Sequence, residues 1–179
     1  MRILKYITAC LLATLMAACG NGGDNNERVR SVYYWSTVLD IDSTKQAFID
    51  RHGINRMYVR YFDVVIGEDG RPVPNATLRF RTGVPRGMEI VPTVYIVNDC
   101  MAADTTDLAR LTLRRIMQMN ATNDVSKVKE IQIDCDWTRR TRQRYFGFLR
   151  TLRRLAAAEG IEVTATIRLH QLAESAPPV

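Results

Sequence analysis

The chain has 179 residues, of which 46% are hydrophobic, and its 25 basic and 19 acidic side chains give a formal net charge of +6. The four cysteines form no CxxC pair and no metal-ligand spacing, and the sequence contains neither a phosphate-binding loop nor a nucleophile elbow. The composition and motifs therefore predict a protein without a metal or another cofactor.

A targeting segment occupies residues 1–19. Arg2 and Lys5 precede an apolar stretch, residues 7–18, which is too short to span a bilayer as a helix. Small residues lie directly before Cys19, and this arrangement resembles the lipobox of bacterial lipoproteins. The resemblance implies cleavage before Cys19, lipidation of that cysteine, and a periplasmic or surface-exposed protein anchored to the membrane of the cell envelope. The alternative is an ordinary signal cleavage site.

A polar tether follows the anchor at residues 20–30 and separates it from a globular domain at residues 31–179. Arginines are concentrated between residues 139 and 154. Such a run occurs in nucleic-acid-binding proteins and also on solvated helix faces. Because an exported protein meets little nucleic acid, we interpret the run as a solvated helix face and predict no nucleic-acid partner.

The first half of the domain alternates predicted strands and helices. The aromatic and β-branched stretch at 32–38 predicts a strand. A capping-box pattern at Ser43 opens a helix that ends at Gly53. Residues 54–65 predict a second strand. Residues 67–88 are rich in glycine, proline and arginine, and they predict a loop or hairpin where a helix would be expected.

The second half continues the alternation with a third strand at residues 89–97, although Pro92 is unusual in a central strand. Hydrophobic periodicity then predicts a helix, a strand, a helix and a strand over residues 104–119, 128–136, 141–159 and 161–172. Cys100 and Cys135 form either a disulfide or two buried thiols.

Strand–helix alternation predicts an α/β fold with parallel strands. Strands that helices cover on both faces are almost continuously apolar, but the second, fourth and fifth strands here alternate apolar and polar residues. One apolar and one polar face indicate a barrel whose polar face lines its mouth. A complete (β/α)8 TIM barrel has eight strands and about 250 residues. The five strands therefore predict a partial TIM barrel from a truncated reading frame or fragment, with an open parallel α/β sheet as the alternative.

The fourth strand places two carboxylates on one face. Asp134 and Asp136 are two residues apart, so they are about 6–7 Å apart along the strand and share its polar side. In a barrel they would lie at the carboxyl end of the strand, where barrel enzymes carry their chemistry. Arg60 and Arg168, on the inward faces of the second and fifth strands, are the predicted partners. The alternative is a buried ion-pair network without a substrate.

Residues 131–138 resemble the fourth strand of the family-18 glycoside hydrolases, the chitinase-like TIM barrels, whose pattern ends in Asp-x-Asp-Trp-Glu. Residues 134–137 match the core of that pattern. The resemblance implies a carbohydrate substrate and an Asp136 that orients the N-acetyl group of the sugar. Thr138 occupies the position of the general-acid glutamate, and a threonine cannot protonate a glycosidic oxygen. Ile131 and Gln132 replace the aspartate and glycine that open the pattern. The domain also resembles bacterial surface lipoproteins with a glycosidase-like barrel.

Other polar and aromatic residues are weaker candidates. Asp63 is interpreted as a carboxylate at the barrel mouth or as a loop cap. Trp35 and Trp137 are candidates for stacking on a sugar ring or for core packing. His170 is a candidate proton shuttle or a hydrogen-bonded core histidine.

The sequence therefore predicts a surface-anchored lipoprotein with a glycosidase-like barrel that acts on carbohydrate. Asp134 and Asp136 are the predicted catalytic carboxylates, and the predicted substrate contacts are Arg60, Asp63, Trp137, Arg168 and His170. The predicted partners are a glycan and, through the lipid, a membrane. The alternative is a non-catalytic carbohydrate-binding or cell-envelope structural protein, which Thr138 favours.

Overall fold

The structure, a computed structural model, describes residues 28–172. The predicted signal segment, the lipidation site at Cys19 and most of the predicted tether lie outside the described residues. Between residues 28 and 172, none of the helices combines the length and the apolar character that crossing a bilayer requires.

Strands and helices alternate along the described chain. In order they are β1 (Ser31–Tyr34), β2 (Val38–Leu39), α1 (Ser43–His52), β3 (Arg56–Ile66), β4 (Pro72–Asn75), β5 (Arg79–Phe80), β6 (Glu89–Ile96), a 3-10 turn (Asn98–Met101), α2 (Leu108–Thr122), β7 (Glu130–Cys135), α3 (Arg142–Ala158), β8 (Glu162–Ala165) and α4 (Leu169–Leu172).

The main sheet has five parallel strands in the order β1-β3-β6-β7-β8, which is also their order along the chain. β4 folds back antiparallel onto the second half of β3, so the segment predicted as a loop or hairpin begins with a hairpin, and β5 pairs with β2 in a separate two-stranded sheet. The central strand β6 contains Pro92. The structure confirms an α/β fold with a parallel sheet.

The helices pack on one face of this sheet. Val59 and Ile133, from two of the strands, belong to the same buried core as Ile49 of α1, Ile116 of α2 and Leu149 of α3. Right-handed crossovers between strands that advance in one direction put every connecting helix on the same side. The opposite face of the sheet therefore carries the polar residues of the alternating strands.

The polar face is concave. The Tyr33 hydroxyl on β1 donates a hydrogen bond of 2.9 Å to Oε1 of Gln132 on β7. These strands are three positions apart, so in a flat sheet they would be separated by about 14 Å, and side chains perpendicular to the sheet would not meet. The contact therefore requires the sheet to curve, with Tyr33 and Gln132 inside the curve. We call this surface the concave face.

The predicted fifth strand is too long. β8 ends at Ala165, and residues 169–172 form the short helix α4 instead. The Gln171 side chain, 1% exposed, accepts a hydrogen bond from the Arg168 backbone and donates to the backbone oxygens of Cys135 and Trp137. These contacts with β7 stabilise a turn that the alternating sequence could not reveal.

The two domain cysteines are free thiols rather than a disulfide. Both Cys100 and Cys135 are buried. Burial raises the pKa of the Cys100 thiol to about 11 and also raises the pKa of Cys135. Both side chains are therefore neutral packing groups near neutral pH.

Candidate functional site

A row of polar side chains crosses the concave face at the carboxyl ends of the strands. Asp63 of β3 is in register with Tyr95 of β6, and Tyr95 is in register with Asp134 of β7. Thr166, directly after β8, donates a hydrogen bond to Asp134 Oδ1. Neighbours in register share a face, so four successive strands contribute one side chain each to the same line.

A β-bulge brings Asp63 into this row. β3 and β6 slip by one residue between Arg60 and Phe62, so that Tyr61 has no partner of its own. In a regular strand, residues three apart point to opposite faces, but one inserted residue returns them to the same face. Arg60 therefore meets Asp63 on the concave face, with Nε donating to Oδ1 at 2.7 Å and Nη2 donating to Oδ2. The carboxylate raises the pKa of Arg60.

The two aspartates of the sequence motif share one arginine. Arg168 Nε donates to Asp136 Oδ1, and Arg168 Nη2 is 4.0 Å from Asp134 Oδ1. The hydrogen bond with Asp136 raises the pKa of Arg168. Asp134 is the more buried of the two, with a side chain 14% exposed against 44% for Asp136. The prediction that Arg168 partners these carboxylates is confirmed, although Arg168 follows β8 rather than lying within it. Arg60, by contrast, contacts Asp63 instead.

The pKa of Tyr95 depends on the negative charges of Asp134 and Asp136. Burial raises its pKa, and the negative charges of Asp136 and then Asp134 raise it further, while Arg168 opposes them. The Tyr95 phenol therefore remains neutral and retains its proton for hydrogen bonding at pH values where a free tyrosine begins to ionise.

Aromatic rings line the concave face on the β1 side. Tyr33 stacks on Tyr58 with ring centroids 4.8 Å apart, and Trp35 lies next to Tyr33. The Arg60 guanidinium is 5.6 Å from the centroid of the Trp35 ring. Tyr33 and Trp35 are 56% and 47% exposed. Large aromatic side chains with this much accessible surface, beside paired charges, offer a ligand both a flat apolar contact and polar anchors.

Trp137, unlike Asp134 and Asp136, lies away from the concave face. The structure corrects the assignment of Trp137, because its ring is 1% exposed and packs against Tyr145 and Phe146 in the core. Thr138 is exposed and takes part in the turn before α3, where its backbone N–H donates to the Thr141 hydroxyl. His170 lies in α4, but its side chain is outside the part of the chain that the structure describes.

Sequence reasoning missed several residues of the site. Tyr95, Thr166 and Gln132 occupy polar positions in alternating strands, and that alternation was the available signal. Gln171 left no such signal, because its function depends on the turn after β8. Across residues 28–172, no three or more histidine, cysteine or acidic side chains are grouped closely enough to hold a metal ion.

No protein-family model, curated protein or solved structure matches the chain. At the carboxyl ends of the strands, the concave face combines exposed aromatic rings with three carboxylates and two guanidinium groups.

Proposed function

We propose that this chain is a lipid-anchored protein of the bacterial cell envelope whose concave face binds carbohydrate. The observation that carries the proposal is the exposed pair Tyr33 and Trp35 on the same face as the aspartate row. A sugar ring presents C–H groups on its faces and hydroxyls around its edge. Aromatic rings pack against the C–H groups of the sugar face, and carboxylates and guanidinium groups form hydrogen bonds with the hydroxyls.

We further propose that the sheet belongs to a glycosidase-like (β/α)8 barrel. Three features support this architecture: the strand order follows the chain order, the helices pack on one face, and the other face is polar and curved. Asp134 and Asp136 lie at the carboxyl end of β7, which is where barrel sites are built. The alternative architecture is an open parallel α/β sheet with the same concave surface.

Binding without hydrolysis is the form of the proposal that the contacts favour. Glycoside hydrolysis uses a carboxylic acid to protonate the leaving oxygen. Among the described carboxylates of the site, Asp63 and Asp136 each contact an arginine, and Asp134 accepts a hydrogen bond from Thr166. Thr138 occupies the position at which the family-18 glycoside hydrolase pattern has its general-acid glutamate. Hydrolysis remains the second candidate, which the Asp-x-Asp motif at the strand end favours.

A glycan array probed with the full-length chain tests the proposal and separates its two forms. We expect the wild type to bind a subset of chitin-type or plant-type oligosaccharides, and we expect Trp35→Ala to lose that binding. Asp50→Asn, on the exposed side of α1, is the matched control and should bind like the wild type. Absence of binding to every glycan would overturn the proposal.

Release of reducing ends from the bound glycans distinguishes hydrolysis from binding. Turnover by the wild type that disappears in Asp136→Asn would establish the hydrolase and remove the non-catalytic form. Binding without turnover in the wild type, with binding retained in Asp136→Asn, would remove the hydrolase.

The anchor is a separate part of the proposal, supported by the lipobox-like residues before Cys19. Mass spectrometry of the mature amino terminus should show a diacylglyceryl group on Cys19. Cys19→Ala should shift the protein from the membrane fraction to the soluble or unprocessed fraction. An unmodified terminus beyond Cys19 would contradict lipidation and leave the glycan site unaffected.

A further inference from the structure

The amino ends of the parallel strands form the end of the sheet that is opposite the polar row. An open pocket of about 560 Å³ lies there, between the loop before β6 and the loop before β7. Val29, just before β1, also lines this pocket, so the chain enters the described domain at its edge. Along β6, Glu89 at the pocket is six residues from Tyr95 of the polar row, which corresponds to about 20 Å.

Basic side chains surround this pocket. Three of them, Arg86, Lys127 and Lys129, line it and are exposed. Two more, Arg28 and Arg30, lie directly before β1 and are exposed as well. We call these five residues the basic patch. Within residues 28–172, none of the five forms a salt bridge with an acidic side chain.

The acidic side chains of the pocket do not neutralise the basic patch. Glu89 forms a salt bridge of 3.0 Å with Arg56, so its charge is already paired. Asp124 is the other acidic residue of the lining, and it is exposed. The basic patch therefore has five positive charges against one unpaired carboxylate in the pocket lining, and this excess attracts anions.

One of the lysines occupies a backbone conformation that favours glycine. Lys127 has a φ of 60°, at which an L side chain is crowded against its own backbone. Glycine adopts this conformation without that cost. Backbone strain is commonly retained where the residue has a function. A lysine at this position therefore indicates a binding surface more strongly than an ordinary exposed lysine does.

We propose that the basic patch binds an anionic lipid surface, so that the amino end of the sheet faces the membrane. The proposal rests on the anchor proposed at Cys19. The ten residues from Cys19 to Val29 span at most about 36 Å, so the anchor holds this end of the sheet near the bilayer. Lipid phosphates accept charge-assisted hydrogen bonds from guanidinium and ammonium groups. The polar row at the opposite end then faces away from the membrane and remains accessible to glycans.

Acetylation of lysines in the full chain, measured by mass spectrometry, tests which end faces the lipid. The sequence has four lysines, and Lys45, exposed at the start of α1 at the opposite end of the sheet, is the internal control for Lys127 and Lys129. With a neutral acetylating ester, both patch lysines should react at least about fivefold more slowly on vesicles of equal parts phosphatidylglycerol and phosphatidylcholine than on phosphatidylcholine alone. Lys45 should react equally on both, and high salt should remove the difference.

Equal acetylation of Lys127 and Lys129 on the two kinds of vesicle would overturn the proposal. Stronger protection by inorganic phosphate or by a DNA oligonucleotide, without vesicles, would assign the basic patch to a soluble anion and overturn it as well. The mass of Cys19 in the same sample separates this proposal from the anchor. Protection with an unmodified Cys19 contradicts the anchor alone, and a diacylglyceryl group on Cys19 without protection contradicts the membrane-facing patch alone.

Two variants keep at least one reporter lysine and test the charge directly. Arg86→Gln should reduce the protection of Lys127 and Lys129 about twofold or more, whereas Arg140→Gln, exposed before α3 at the opposite end of the sheet, should leave it unchanged. Lys127→Gly should reduce the protection of Lys129 by a similar factor, although its thermal midpoint should equal or exceed that of the wild type. Wild-type protection in both Arg86→Gln and Lys127→Gly would overturn the assignment of the basic patch.

Discussion

The carboxylate of Asp63 meets the guanidinium of Arg60 on the concave face, although three residues of a regular strand would separate them onto opposite faces. The bulge at Tyr61 is the cause of this contact. It directs two successive side chains, Tyr61 and Phe62, into the apolar core and returns Asp63 to the polar side. A local irregularity of one strand thus adds Asp63 to the polar row.

The Arg60–Asp63 pair should show strong energetic coupling. Both side chains are largely buried, at 19% and 12% exposure, so removal of one partner leaves the other charge poorly solvated. We expect a double-mutant cycle with Arg60→Met and Asp63→Asn to give a coupling of about 1–3 kcal/mol in the free energy of unfolding. Chemical denaturation of the four proteins measures it.

The Arg110–Asp107 pair provides the matched comparison. It has the same three-residue spacing but is exposed at the start of α2. Its coupling should be about 0.5 kcal/mol or less. Equal coupling in the two pairs would contradict the burial and the bulge geometry assigned to Arg60 and Asp63.

Gln171 should act as a positioning residue for Arg168. Gln171→Leu removes the acceptor of the Arg168 backbone N–H and the donor to the backbone oxygens of Cys135 and Trp137. We expect a loss of about 2–3 kcal/mol in unfolding free energy, because buried groups are left unpaired. Gln143→Leu, at an exposed site of α3, should change stability by about 0.5 kcal/mol or less. A Gln171→Leu protein as stable as Gln143→Leu would refute this function.

The pKa of Tyr95 should respond to the aspartate pair. Asp136→Asn removes a negative charge that raises this pKa and frees Arg168, which lowers it, so both changes act in the same direction. The Tyr95 phenol should therefore ionise at lower pH in Asp136→Asn than in the wild type. NMR titration of ring-labelled tyrosine measures the shift, and Asp50→Asn should leave it unchanged. An unchanged or higher pKa in Asp136→Asn would contradict the arrangement of the site.

Substitutions of the two tryptophans should have different effects, one on stability and the other on glycan binding. Trp137→Ala empties a core position and should lower the unfolding free energy by about 3–5 kcal/mol. Trp35→Ala removes an exposed ring, so it should cost about 1 kcal/mol or less in stability but abolish glycan binding. Denaturation curves and glycan binding measured on both variants test this contrast. Loss of stability without loss of binding in Trp35→Ala would assign that ring to packing.

Strand alternation and helix periodicity were sufficient to predict the α/β class and the parallel sheet from the sequence. The apolar residues Ile131, Ile133 and Cys135 face the core as the alternation indicated, and Asp134 faces the polar side. The helix that begins at Ser43 ends at Gly53 as predicted, where the backbone has the positive φ that favours glycine. Its N-cap is Asp42 rather than Ser43, because the carboxylate of Asp42 accepts the Lys45 N–H.

The parts of the site that escaped prediction depend on contacts between distant segments. The bulge exists only in the register of β3 against β6, which local sequence does not encode. The end of β8 depends on Gln171 and its bonds to β7, so alternation through Arg168 and His170 wrongly extended the strand. Trp137 is buried because it continues the series of alternate core-facing residues in β7, whereas the sequence interpretation relied on its aromatic character.

Fluorescence of Trp35 during oligosaccharide titration tests the central claim most directly. The chain has two tryptophans, so Trp137→Phe leaves Trp35 as the only indole. We predict that a glycan selected on the array shifts the Trp35 emission to shorter wavelength and saturates at the concentration range of binding, because the sugar excludes water from the exposed ring. Binding that leaves the Trp35 emission unchanged would place the ligand elsewhere and contradict a carbohydrate site on the concave face.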